Sequence, residues 1–270
     1  MVRLIAELAL APGLVGAATL VGDHWGQRVA GLVSGLPVVV GPLLLIAAQE
    51  RGLRFTASAA NGVLLGLPAL GGFALAYARS AHRGPAVGLL RGWMAAAALA
   101  ALVSLCLAGL PFPCGLLIAA GSLALAFCLM PRVHDAAIQP RRSGSSLKAV
   151  QLRMGATAAL VLALWAALAV LGPTIGGVLA GFPAVVSVLA VFAHRDGGSD
   201  AAISLLRGSL AGMTSFVGFC AVVALLLSRA GLATTFALGS ALGLGLQAGT
   251  QLWAIRASRS APRRTAARAV

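Results

Sequence analysis

Few residues in this chain could do chemistry, and two prolines frame them. Pro37 and Pro183 each fall inside an apolar run, 146 residues apart. Proline removes a backbone donor and clashes with the preceding turn, so a helix carrying it should kink or break. Pro42 is a second candidate break in the first run. At such a break the freed backbone groups can line a polar site within a membrane. Ser34 and Ser187 lie beside these prolines. Arg207 is an ionisable residue inside an apolar run, and Asn61 precedes it by the same 146 positions. A guanidinium there either snorkels to the headgroups or offers a planar, permanently charged fork to a carboxylate or phosphate. Gln247 and Gln251 are four residues apart, hence on one helix face. The candidate solute-binding set is therefore Arg207, Asn61, Ser34, Ser187, Gln247 and Gln251, with Pro37, Pro42 and Pro183 as helix breaks.

Other chemistries lack residues. Of the six acids, Asp23, Glu50, Asp135, Asp196 and Asp200 fall in expected turns or helix starts, and only Glu7 lies within a run, near its end. The four histidines, His24, His82, His134 and His194, sit in or beside turns, and the four cysteines show no CxxC spacing. There is no GxSxG, no phosphate loop and no paired carboxylate. The expectation is no enzyme, no metal and no cofactor.

The chain around these residues is membrane-like. Of its 270 residues 60% are hydrophobic and 10% charged, with mean hydropathy +0.97. Soluble domains carry about 25% charged residues. Apolar runs of roughly 20 residues recur without strand-like alternation, which predicts an all-α polytopic membrane protein rather than a barrel. Nine transmembrane helices are expected, at about 3–21, 29–48, 55–78, 87–109, 114–130, 152–171, 174–193, 200–228 and 232–255. Residues 1–130 and 151–255 then form two membrane units, joined by a basic linker (131–150) and followed by a basic tail (256–270) expected to be disordered. Apart from Arg207, the basic residues behind the net charge of +14 sit in or next to turns, in the linker and in the tail, which points to a lipid bilayer and not to nucleic acid. Counting Lys and Arg on the two sides gives fifteen against four. The bias places the N-terminus outside and the C-terminus in the cytoplasm.

A repeat links the two units. From Gly31 to Phe73, adding 146 gives an ungapped register with identical pairs that include Gly31/Gly177, Gly35/Gly181, Gly52/Gly198, Gly62/Gly208, Gly66/Gly212 and Phe73/Phe219. Five spans separate the copies, so the repeat is inverted, as in secondary transporters. The second unit has one span fewer, so the fourth or fifth helix lacks a counterpart. Leu89-Leu90-Arg91-Gly92 resembles Leu205-Leu206-Arg207-Gly208 and offers a competing register, but the ungapped one is the longer.

The run Gly177-Val178-Leu179-Ala180-Gly181-Phe182-Pro183, then a charged glycine turn, then Leu205-Leu206-Arg207-Gly208, resembles the small four-helix inner-membrane proteins of the GlpM type. The resemblance covers the second unit and makes the first a diverged copy with an extra span. It implies an inner-membrane location and, through one branch of the family, a link to exopolysaccharide production. It supplies no catalytic residue. Two functions are consistent with these features: a permease for a small solute, anionic if Arg207 binds it, or a non-transporting accessory protein of an envelope pathway. Oligomeric state is not encoded in any recognisable motif. A reporter fused after Val270 should read cytoplasmic and one before Met1 external; both ends on one side would refute nine spans and inversion together.

Overall fold

The computed structural model describes residues 2–38, 40–106, 110–131, 133, 147–180 and 183–260. Of residues 2–8, 43, 164–180 and 251–260 it describes the backbone alone. Among the described residues all regular structure is helical. In chain order the elements are α1 (Val2–Trp25), α2 (Gln27–Ser34), α3 (Val40–Arg51), α4 (Leu53–Ser80), α5 (Pro85–Cys106), α6 (Phe112–Leu129), α7 (Leu147–Ala180), α8 (Ala184–Ala230) and α9 (Leu232–Ser260). A 3-10 turn, Ala81–Arg83, lies between α4 and α5. Helices satisfy their own backbone groups, which a bilayer demands. Five described helices, α4, α5, α6, α8 and α9, are long and apolar enough to cross a membrane. That is what a multi-pass membrane protein requires.

Several expected boundaries move. The helix expected over 29–48 is two helices, α2 and α3, so the break predicted there is present. The spans expected at 152–171 and 174–193 divide elsewhere: α7 begins inside the expected linker and runs to Ala180, and α8 starts at Ala184. The tail was expected to leave the helix at 256, yet α9 extends to Ser260.

Most expected loops shrink to single glycines. Gly26, Gly52, Gly84, Gly198 and Gly231 have φ between 76° and 103°. With ψ near 180°, this is a region that essentially only glycine occupies. Gly52 (φ 84°, ψ 167°) separates α3 from α4, and Gly198 (φ 79°, ψ −173°) interrupts α8, dividing it into segments 184–197 and 199–230. These two are partners at the 146-residue spacing. The turn expected at His194–Gly198 is thus helical up to one hinge residue.

The core is built on α4 and α8. In its most apolar window α4 is 56% buried and α8 50%, against 22% for α6 and α9. Tyr77, Phe73, Phe219, Leu64, Leu205, Leu206, Val223 and Leu227 are almost wholly enclosed, and all lie on these two helices. α5 packs on α4, α9 packs on α8, and α6 lies against both α4 and α8. The contacts of the two outer pairs recur. A Cβ on Gly92 would meet the Phe73 ring at 2.7 Å, and one on Gly239 would meet the Phe219 ring at 3.0 Å. A Cβ on Gly72 would strike Leu99, and one on Gly218 would strike Leu246. The spacing between corresponding residues is 146 on the inner helices and 147 on the outer ones.

α2 reaches α8 by direct backbone contact. A Cβ on Gly31 would overlap the Leu205 carbonyl, one on Gly35 would overlap Gly212, and one on Gly208 would overlap the Arg28 carbonyl. A Cβ on Gly212 would lie 2.5 Å from the Leu32 oxygen. Two GxxxG faces therefore interlock, the close-approach device of membrane helices. Gly35→Ala should lower stability by about 1–3 kcal/mol, the usual cost of overpacking. Gly62→Ala should be nearly neutral, because a Cβ there meets nothing within 4 Å. Thermal melts of the detergent-solubilised variants test the contrast.

Candidate functional site

The two helix breaks share one feature, the hydrogen bond that starts the helix beyond each proline. α2 ends at Ser34, and α8 starts at Ala184 after Pro183, whose backbone (φ −78°, ψ 57°) is not helical. Pro37 has no N–H to offer the Val33 carbonyl, so that carbonyl accepts from Leu36 instead (3.1 Å), and Leu32 accepts from Gly35 (3.1 Å). These shorter i→i+3 bonds close the last turn of α2. Beyond the break, Gly41 N–H donates to the Pro37 carbonyl (2.8 Å) and Ser187 N–H donates to the Pro183 carbonyl (2.9 Å). Donors and acceptors of these two bonds are partners at 146. Pro42 does not break a helix, contrary to expectation. It occupies the first turn of α3, where the missing N–H would have had no intrahelical acceptor.

A polar cluster fills the α2 break. The Ser34 hydroxyl donates to the Gly31 carbonyl (2.6 Å) and lies 2.9 Å from the Ser209 hydroxyl of α8. Gln247 of α9 donates from Nε2 to the Leu32 carbonyl (2.8 Å). Ser34, Ser209 and Gln247 are at most 6% exposed. Gln247 Oε1 has no hydrogen-bond partner among the described residues, nor has the Ser215 hydroxyl. Ser215 faces α9 close to Gly243, one turn from Gln247. Two of the expected residues, Ser34 and Gln247, are thus brought to one place from 213 positions apart. Ser209 and Ser215 join them. Their signal was present in the sequence, since both lie within one turn of the Gly208/Gly212 pair that receives α2. The Gln251 side chain lies outside the described residues. Ser187 is at the second break, its hydroxyl bonded to Ala184 of its own helix (2.8 Å).

Arg207 and Asn61 act elsewhere, and on the same helix. Arg207 Nη1 donates to the carbonyls of Met130 (3.1 Å) and Pro131 (3.2 Å), just past the C-terminus of α6. Its guanidinium also lies 4.7 Å from the centre of the Phe127 ring. A cation is favourable at that end of a helix and supplies donors to carbonyls left without partners. Asn61 Nδ2 donates to the Leu110 carbonyl (3.1 Å), just before the N-terminus of α6. Gly115 faces Asn61 so closely that a Cβ there would strike Oδ1. The residues expected to face a solute are therefore attached to the two ends of α6.

A further group of charged contacts lies near the start of α7 and the end of the first α8 segment. Arg153, 6% exposed, pairs with Asp196 and lies 5.3 Å over the Phe192 ring. Tyr77 approaches His194 Nδ1 at 3.2 Å. Among the described residues no three His, Cys, Asp or Glu side chains come together as a metal site would need. The Glu7 side chain lies outside the described residues. An apolar groove of about 270 Å³ runs along α9 beside Gly245, Leu246, Gly249 and Thr250. The α2 break itself is closed by direct packing.

Arg207→Gln should lower stability by about 1.5–3 kcal/mol, the range for hydrogen bonds made by charged groups. Arg207→Lys should recover part of that, since an ammonium can still reach carbonyls without matching the fork. Unchanged melting midpoints in both variants would mean that the α6 attachment contributes nothing. Comparison with protein-family models, with curated proteins and with solved structures returned no match, so the assignment of this chain rests on its geometry.

Proposed function

We propose that the chain is a nine-span cytoplasmic-membrane protein, two inverted halves around broken helices, that moves a small solute. The observation carrying this reading is the paired restart: beyond Pro37 and beyond Pro183 the next helix begins with corresponding hydrogen bonds, Gly41 N–H to Pro37 and Ser187 N–H to Pro183. Discontinuous helices in matching positions of two halves are the usual place for substrate and ion sites in transporters. The recurrence of Phe73–Gly92 as Phe219–Gly239 supports pairing α4 with the second segment of α8 and α5 with α9. α6 is then the extra span. The excess of Lys and Arg on one side supports an external N-terminus and a cytoplasmic C-terminus. The GlpM resemblance of the second half agrees with an inner-membrane location.

A second reading has its own observation. The α2 break is sealed by glycine packing, and Arg207 and Asn61 hold a helix rather than line a cavity. That suits an accessory membrane protein of an envelope or exopolysaccharide pathway, with no transport cycle. Reconstituted, purified protein distinguishes the two. Transport predicts uptake of labelled small solutes, anions included, into liposomes, with loss of uptake in Gly35→Leu. Absence of any flux, together with copurification of an envelope-synthesis complex from native membranes, would establish the accessory role instead.

A further inference from the structure

We propose that the break in α2 binds an alkali-metal cation. Oxygens from three helices meet there: the Gly31 and Leu32 carbonyls of α2, the hydroxyls of Ser34 and Ser209, and the side-chain amide of Gln247. The C-terminal end of a helix carries partial negative charge, so α2 presents its negative end to this cluster.

The balance of donors and acceptors points to a cation. The Ser34 proton is committed to the Gly31 carbonyl, and the Ser209 hydroxyl is then the donor across the 2.9 Å contact. The Gln247 amide donor is committed to the Leu32 carbonyl. What remains unused is acceptor capacity, most plainly Gln247 Oε1, which is buried and has no partner among the described residues. An acceptor left unmet inside a protein costs roughly 1–3 kcal/mol. A site with surplus oxygens and committed protons suits a positive ion and repels an anion. Its charge is limited by the ligands. All the oxygens are neutral, whereas hard divalent cations are held by carboxylates. A monovalent ion of the sodium or potassium class fits such a set, since carbonyls at unwound helix ends coordinate these ions in transporters. On binding, Gln247 Oε1 and the spare lone pairs of the cluster's oxygens are the ligands, while the Ser34 and Gln247 donors keep their carbonyls.

As a coupling site this inference rests on the transport reading; as a binding site it does not. The test uses the full chain in detergent, with radiolabelled sodium binding and melting midpoints in sodium, potassium and choline chloride at constant ionic strength. Sodium or potassium should raise the midpoint saturably above choline. Ser209→Ala and Gln247→Leu should weaken apparent affinity by about tenfold or more. Gln247→Glu guards against simple misfolding: it adds a carboxylate to the oxygen set and should tighten binding. Equal midpoints in all three salts with no saturable sodium binding would overturn the site. Saturable binding unaffected by Ser209→Ala and Gln247→Glu would overturn its location. Cation binding without solute flux would refute transport and leave the site standing, and flux without cation binding would do the reverse.

Discussion

The contact on which the rest depends is the one between the backbones of α2 and α8. Lipid tails are as apolar as leucine, so helices in a bilayer gain little from hiding side chains and much from close fit. Gly31 and Gly35 against Gly208 and Gly212 bring the two helix backbones together without intervening side chains. That approach sets the Ser34 hydroxyl against Ser209 and puts the Leu32 carbonyl within reach of Gln247 on the next helix. Any bulkier pair at the crossing would lift α2 off α8 and leave its last carbonyls in hydrocarbon. Break and crossing thus require each other.

The second constraint is the handling of helix ends. α6 has 18 residues, about 27 Å of helix, so both its ends fall near the limits of the hydrocarbon layer. Unpaired carbonyls are expensive at that depth. Arg207 and Asn61 answer this at opposite ends of α6, one with a charged donor and one with an amide. Their 146-residue relation puts one on each of the two central helices. A single helix is thereby fastened to both α4 and α8.

Much of this could be read from residue types alone. The helical class followed from composition, and the breaks followed from Pro37 and Pro183 because proline acts locally on the backbone. Gly208 and Gly212 stood out in the sequence only as repeat partners of Gly62 and Gly66, and nothing there showed that they would receive Gly31 and Gly35. Pro42 misled because a proline's effect depends on its position in the helix, and periodicity did not reveal that α3 starts two residues earlier. The role of Arg207 was hidden for a different reason. Its partners are main-chain carbonyls at residues 130 and 131, and a backbone acceptor has no signature in sequence. The charged turn at 194–198 looked like a loop since polarity marks the membrane surface, while the helix continues through it until Gly198 alone changes direction.

On the reading proposed here, α6 also has a consequence in arithmetic. A unit of four spans begins and ends on the same side of the bilayer. Two such units joined end to end would therefore sit parallel, with their broken helices pointing the same way. One added span changes the parity, and the second unit enters the membrane upside down. A separate protein of four spans could reach the same arrangement only by inserting in both orientations and pairing with itself. α6 makes the antiparallel pairing obligatory within one polypeptide, at fixed stoichiometry. Once that geometry is built into a single chain, the halves are free to diverge, so that Asn61 and Arg207 can do related work with different chemistry.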